Sequence, residues 1–318
     1  MTEQRKLIRL GNSSFALALP TAWVDKSGLK KGDKVFLESN SSGGIVISSD
    51  LKKLGGDKKI EINTDGLDEY TLEKEMTSAY VKGYKEFHFT GKSHQSMKKK
   101  IDEIKTNLLS LEFLENGKDK LVIRDFLNFE EINIDNFIRR IDNNLREAFD
   151  LLAKRLAIGN ITKNELEDIR KIDEDINKAY MLISRILIMG LDNPSVLSSL
   201  KLEGQELFNK WWYSFNLEHI GDSLKNIAKV MGTPSAESNH NLLNFFGEIY
   251  ELYIGSMDSF YKQDRKMALS SMKESKMLFD KHRKEEYTSA THSKIAENMK
   301  YLEDSCYQNL KMTTYMRA

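Results

Sequence analysis

From about residue 131 to its end the chain loses every strand signal and runs in long apolar repeats of helical spacing, which commits this portion to an all-α bundle. Six helical periods start near Asp135, Lys163, Gln205, Asn241, Lys266 and Thr291. "GNITKNE", "GLDNPSVLSSLKLEG" and "MGTPSAESNHN" read as the loops between them. The six resemble three written twice: a helix, a helix with a mid-length acidic cluster, and a helix with a late one. Residues 131–235 and 236–318 are therefore expected to be two three-helix repeats, the second with a degenerate acidic motif.

Two smaller parts precede the bundle. Residues 1–52 alternate short apolar strands ("KLIRL", "FALAL", "KVFLE", "IVIS") with turns at Gly32-Asp33 and Gly43-Gly44, plus one helical segment at "PTAWVDKSG", where Pro20 suits a first helical position. Residues 53–130 alternate types: strand "KKIEIN", helix "TLEKEMTSAYVK" ended by Gly83, strand "EFHF", helix "HQSMKKKIDEIKTNLLSL", and strands near "EFLEN" and "KLVIRDF". That pattern predicts a small α/β layer linking the other two parts.

Bulk properties exclude several function classes. Charged residues make up 30% of the chain but balance to a formal net charge of +0, so any affinity for nucleic acid must come from a local patch. The lone Cys306 makes no intrachain disulfide, and no repeated Cys/His spacing marks a structural zinc site. "MTEQRKLIRLGNS" lacks the apolar core of a signal peptide, and the greasiest run, "YMLISRILIMGL", is short and carries Arg185. The expectation is a cytoplasmic protein without stable membrane insertion.

"NLEHIGDSLKNIAKVMG" places Glu218 and Asp222 one turn apart with Gly221 between them. The like-charged pair costs a few tenths of a kcal/mol, and a mid-helix glycine costs roughly 1 kcal/mol against alanine. Leu217, Ile220, Leu224, Ile227 and Met231 form the apolar stripe, and the two carboxylates share the far side. An earlier helix buries Ile169, Ile172, Ile176, Ile183 and Leu187 and carries Asp173 and Asn177 one turn apart. Packed side by side, the two helices would converge Asp173, Asn177, Glu218 and Asp222, an oxygen-only set suited to hard or borderline cations. The alternative is a solvated face with Asp222 paired to Lys225 or Lys229. A ferritin-like di-iron site is disfavoured, because Glu-x-x-His is required and position 216 is Asn beside His219.

The stretch "LEHIGDSLKNIAKVMG" resembles the signature helix of the PhoU proteins, helical bundles of phosphate signalling, and "DEDINKAYMLISRIL" resembles the helix before it. The resemblance implies two three-helix repeats whose acidic motifs hold a divalent or multinuclear metal (iron, zinc, Mg or Mn). This chain departs from that pattern. Asn177 replaces an acidic residue, Lys300 stands where the second repeat should match Glu218, and Lys276 stands opposite Asp173, leaving Asp280 and Asp304. The expectation is a weakened metal site in the first repeat and an internal salt bridge in the second.

"RKLIRLGNSSFALALPTAWVDKSGLKKGDKVFLE" resembles the swapped-hairpin β-barrels of the AbrB and MazE type (SpoVT-AbrB), through Gly11, Ser13, Leu19-Pro20, Trp23, Gly28-Leu29 and Gly32-Asp33. Independently, so small a β unit has too little core to stand alone, which argues for a homodimer with Trp23 buried. Residues 1–34 carry Arg5, Lys6, Arg9, Lys26, Lys30, Lys31 and Lys34 against Glu3, Asp25 and Asp33, a surplus of four positive charges. The resemblance implies that Arg5, Lys6, Arg9, Asn12 and Ser13 face a double-stranded DNA operator.

The middle layer has no glycine-rich phosphate loop, nucleophile elbow or paired catalytic acids, and His88 and His94 read as structural or surface residues. No catalytic residue is assigned and no enzyme is expected. The whole arrangement resembles a group of chiefly archaeal phosphate uptake regulators, implying a homodimeric DNA-binding transcriptional regulator of phosphate homeostasis. The alternative is an adaptor that modulates a phosphate ABC transporter, through its ATPase subunit, or a sensor kinase, using the β module only to dimerise.

Overall fold

The computed structural model describes residues 3–39, 44–49, 58–117, 120–232, 240–282, 287 and 289–316, and the chain divides into two compact units, Met1–Gly56 and Asp57–Ala318.

In the first unit β1 (Leu7–Leu10) and β2 (Ser14–Leu17) form a hairpin with Leu7 opposite Leu17, turned at Gly11, whose φ of +69° suits glycine. Helix α1 (Thr21–Lys26) follows Pro20, which sits one position earlier than expected, at the cap. β3 (Phe36–Ser39) and β4 (Ile45–Ser48) make a second hairpin. The expected strands and helical segment are present, with Gly43 of the expected turn outside the described residues, yet the described residues of the unit form no core of their own. None of its described apolar side chains is buried, Trp23 is only half-buried, and Leu7, Phe15 and Leu37 are about two-thirds exposed. Isolated two-stranded hairpins are marginal in water, so these apolar faces need cover.

The second unit begins with a four-stranded sheet of order β5-β6-β8-β7: β5 (Lys59–Asn63), β6 (Glu86–Thr90), β7 (Leu111–Asn116) and β8 (Leu121–Asp125). β5 and β6 are parallel, joined over α2 (Glu69–Val81), and the other pairs are antiparallel. Asp68 caps α2 by accepting from the Thr71 amide at 2.7 Å, and Gly83 at φ +82° turns the chain out of it. Helix α3 (Lys98–Thr106) is shorter than expected, since residues 92–97 form turns. Ile62, Leu72, Met76, Phe87, Ile101 and Ile123 build the layer's core.

Six long helices follow: α4 (Ile134–Ile158), α5 (Lys163–Asp192), α7 (Gly204–Met231), α8 (His240–Lys262), α9 (Arg265–His282) and α10 (Ala290–Tyr315), each starting within one residue of its expected place. Side-chain caps fix the first two starts. Asn133 caps α4, and Thr162 with Glu165 forms a reciprocal capping box on α5. A short α6 (Pro194–Leu200) occupies what reads as loop; Asn193 caps it and Pro194 opens it. One continuous core, including Leu145, Ile176, Leu217, Phe245, Tyr253 and Leu310, runs through both repeats.

Two buried polar seams fix the packing. Asp142 of α4 accepts from Arg146 Nε (2.8 Å) and from the hydroxyls of Tyr253 (2.6 Å) and Tyr261 (3.0 Å), tying the first repeat to α8. Arg185 of α5 is fully buried and joins bundle to sheet: its guanidinium donates to Asp125 Oδ2 (2.6 Å) and to the carbonyls of Tyr84 (3.0 Å) and Tyr80. Met181, one turn earlier, packs into the sheet layer's core.

Candidate functional site

Gly221 explains how the acidic helices meet. A Cβ there would lie 3.2 Å from Ile176 Cδ1 and 3.7 Å from Leu145 Cδ2, so its absence lets α7 lie close against α5 and α4. The close approach brings Asp173 of α5 beside Glu218 and Asp222 of α7, and Asn177 joins them through Asp173 on its own helix.

The cluster contains a fifth group. Lys225 Nζ donates to Asp173 Oδ2 at 2.7 Å and to Asp222 Oδ1 at 2.6 Å, and Asn177 Nδ2 reaches Asp173 Oδ2 at 3.3 Å. Asp173 is 7% exposed, and its other oxygen, Oδ1, is buried without a hydrogen-bond partner. Burial pushes the Asp173 carboxyl above its ordinary range, which the Lys225 contact only partly offsets. Burial, with the Asp222 and Asp173 charges added, raises Glu218 to about 7. Burial opposes the charge on Lys225 as well, but its two carboxylate partners outweigh this and hold the ammonium more firmly protonated than usual. The direction for Lys225 decides the state of the pair, an ammonium between two carboxylates. Among the described residues no three His, Cys, Asp or Glu side chains are placed to hold a metal ion. The donor set thus does not fit the expected metal, and Lys225 occupies the place between two of its carboxylates.

An aromatic stripe that the sequence reading passed over flanks this cluster on α7. Phe208, Trp211, Trp212, Phe215 and His219 touch in succession, and the Trp211 indole donates to Ser184 Oγ at 3.0 Å. The signal was the run "FNKWWYSFNLEH", whose aromatic density exceeds what one buried stripe needs.

The second repeat solves the same packing differently. Lys276, Lys300 and Asp304 line a groove of about 430 Å³ between α9 and α10, together with Lys273, Phe279 and Tyr307. Among the described residues neither Lys276 nor Lys300 makes an ion pair with Asp280 or Asp304, so the internal salt bridge expected here is found in the first repeat instead. Lys225 reaches across to Asp173 on the neighbouring helix, whereas Lys276 and Lys300, each one turn before an aspartate on its own helix, line an open groove. Where the first repeat has Gly221, the second has Glu303, 3% exposed. Ser275 Oγ donates to its Oε1 at 3.3 Å, Oε2 has no partner, and burial raises the carboxyl to about 7.

In the amino-terminal unit Arg5, Lys6, Arg9, Asn12 and Ser13 are all exposed: Arg5 and Lys6 lie just before β1, Arg9 on it, and Asn12 and Ser13 in the turn after it. Arg9 Nε donates to the Gly11 carbonyl at 3.2 Å, holding the side chain along the turn, and Arg5 is ion-paired to Glu3.

Two family models match the chain. One, described as "Antidote-toxin recognition MazE, bacterial antitoxin", covers residues 8–55, and the other, "PhoU domain", covers residues 134–231. The chain therefore carries a MazE-type module followed, after the sheet layer, by a PhoU domain that spans the first repeat. No curated protein and no solved structure matches it. No described helix is long and apolar enough to cross a membrane.

Proposed function

We propose that this protein is a homodimeric DNA-binding regulator of phosphate uptake, in which the amino-terminal module contacts the operator and the helical bundle senses phosphate status or a partner. The single observation that carries the reading is the union, in one chain, of a MazE-type module bearing an exposed basic face with a PhoU domain. The exposed Leu7, Ile8, Leu10, Phe15 and Leu17 supply the dimer interface: a second copy that exchanges strands covers them and doubles the basic face. Exposed arginines and lysines on a turn are placed for phosphate contacts, and Arg9 is the group best suited to a guanine edge. The bundle then acts by biasing the dimer between DNA-competent and DNA-incompetent states, a coupling between two sites.

The test is retention of fragmented genomic DNA by the purified full-length protein at ~150 mM salt, where specific binding must exceed the electrostatic background. Discrete sites upstream of phosphate-transport genes are the expected result. Uniform or absent retention would overturn the reading in favour of a transporter or kinase adaptor.

A further inference from the structure

Two helices that converge three carboxyl groups normally need a cation, and this pair has one of its own. We propose that Lys225 is the permanent cation of the α5–α7 cluster, that the first repeat works without metal, and that this single side chain keeps divalent ions out.

Three observations carry the inference. The Lys225 ammonium lies within hydrogen-bond reach of both Asp173 and Asp222, 2.7 and 2.6 Å away, which is the position an ion bridging those carboxylates would take. Asn177, the neutral member of the set, gives Asp173 Oδ2 its amide N–H at 3.3 Å and adds no negative charge with which to hold a cation. The Asp173 Oδ1 atom is buried with no partner, a vacant oxygen in the cluster that the ammonium does not use and an ion could.

Covalent connection makes the exclusion effective. Lys225 rises from the same helix as Asp222, three residues on, so an incoming ion competes with a tethered charge at high local concentration and not with a free one. A divalent ion beside the ammonium would also meet a like charge at about 3 Å, where repulsion is strong even with partial screening. Loss of the ammonium removes both obstacles and leaves the Asp173 and Asp222 carboxylates without their shared counter-charge. The inference holds whether or not the amino-terminal module binds DNA.

The experiment uses the full-length protein, stripped with chelator and titrated with Mn2+, with bound ion followed by electron paramagnetic resonance and folding by circular dichroism. Wild type is expected to take up no Mn2+ that Asp222→Asn abolishes, and to melt at the same temperature with Mn2+ or chelator. Lys225→Met is expected to bind one Mn2+ per chain at least about tenfold more tightly than wild type, the like charge having gone, and the Lys225→Met/Asp222→Asn double variant is expected to lose it. Lys225→Gln provides a polar second variant should the methionine disturb folding. Stoichiometric, Asp222-dependent Mn2+ on wild type would overturn the inference. So would folded Lys225→Met and Lys225→Gln proteins that bind no more Mn2+ than wild type.

Discussion

Replacing Glu303 by Gln should stabilise the protein at alkaline pH. The carboxyl is closed in by its own helix and by α9, with Ser275 on one oxygen, no partner on the other, Asp304 and the buried Cys306 thiol nearby, and only Lys300 opposing. Its folded-state value of about 7 stands above the ordinary 4.5, so the native state holds a proton that the unfolded chain releases across that window. The stabilising, neutral form is fully present below about 4.5 and is lost as pH rises through about 7. At ~1.4 kcal/mol per unit the whole shift corresponds to about 3 kcal/mol. The groove that Glu303 lines is open to water, and screening there reduces this to about 1–2 kcal/mol. Glutamine keeps the shape and the Ser275 contact without the charge. Thermal melts of wild type and Glu303→Gln at pH 8 should differ by about 2–6 °C in favour of the variant, and the difference should fall to less than half at pH 5. A gap that does not change with pH, or one that favours wild type at pH 8, would refute the argument that an ionisable group is buried at a cost in this seam.

Three other outcomes are expected. Asp125→Asn should destabilise the second unit by about 3–5 kcal/mol in urea unfolding, because it strands the fully buried Arg185 charge, and limited proteolysis should then cut first in the sheet layer. Gly221→Leu should cost about 1–3 kcal/mol by overpacking against Ile176 and Leu145, while Gly221→Ala stays near neutral because helix propensity of roughly 1 kcal/mol offsets the tight 3.2 Å contact. Arg9→Ala should leave the melting temperature unchanged, since the side chain is exposed, yet weaken operator binding by about 1–3 kcal/mol and relax its sequence specificity in a binding titration.

Most of the architecture was legible because each level of the sequence agreed with the next. Thr162 with Glu165, Asn133 and Gly159 punctuate the helices with capping chemistry that acts over a few residues, which a reader of sequence can see. The meeting of Asp173 with Glu218 and Asp222 was legible for a related reason, since helical periodicity fixes which residues share a face. What was not legible depended on the third dimension. Arg185 looked only like an interruption in an apolar run, because its acceptors Asp125, Tyr80 and Tyr84 lie at least 60 positions away. Lys225 was visible as one possible partner of Asp222, but its second bond, to Asp173 on another helix, turns a surface pair into the centre of the cluster.

The two repeats show what happens to one geometric problem when it is answered twice. Packing the third helix of each repeat closely against the second brings carboxylates together. In the first repeat Gly221 lets the helices close and Lys225 balances the charge from within. In the second, the glycine position holds Glu303, whose larger side chain goes with the open groove between α9 and α10, and the charge is balanced by protonation and by lysines around the groove. Charge that is balanced internally is insensitive to solution conditions, whereas charge balanced by a proton near pH 7 is not. Each repeat keeps one carboxyl of the second kind, Glu218 in the first, the one the PhoU domain matches, and Glu303 in the second, both raised to about 7 by burial, so both seams gain charge as pH rises through neutrality. Glu218→Gln and Glu303→Gln should each flatten the dependence of stability on pH between about 4.5 and 7.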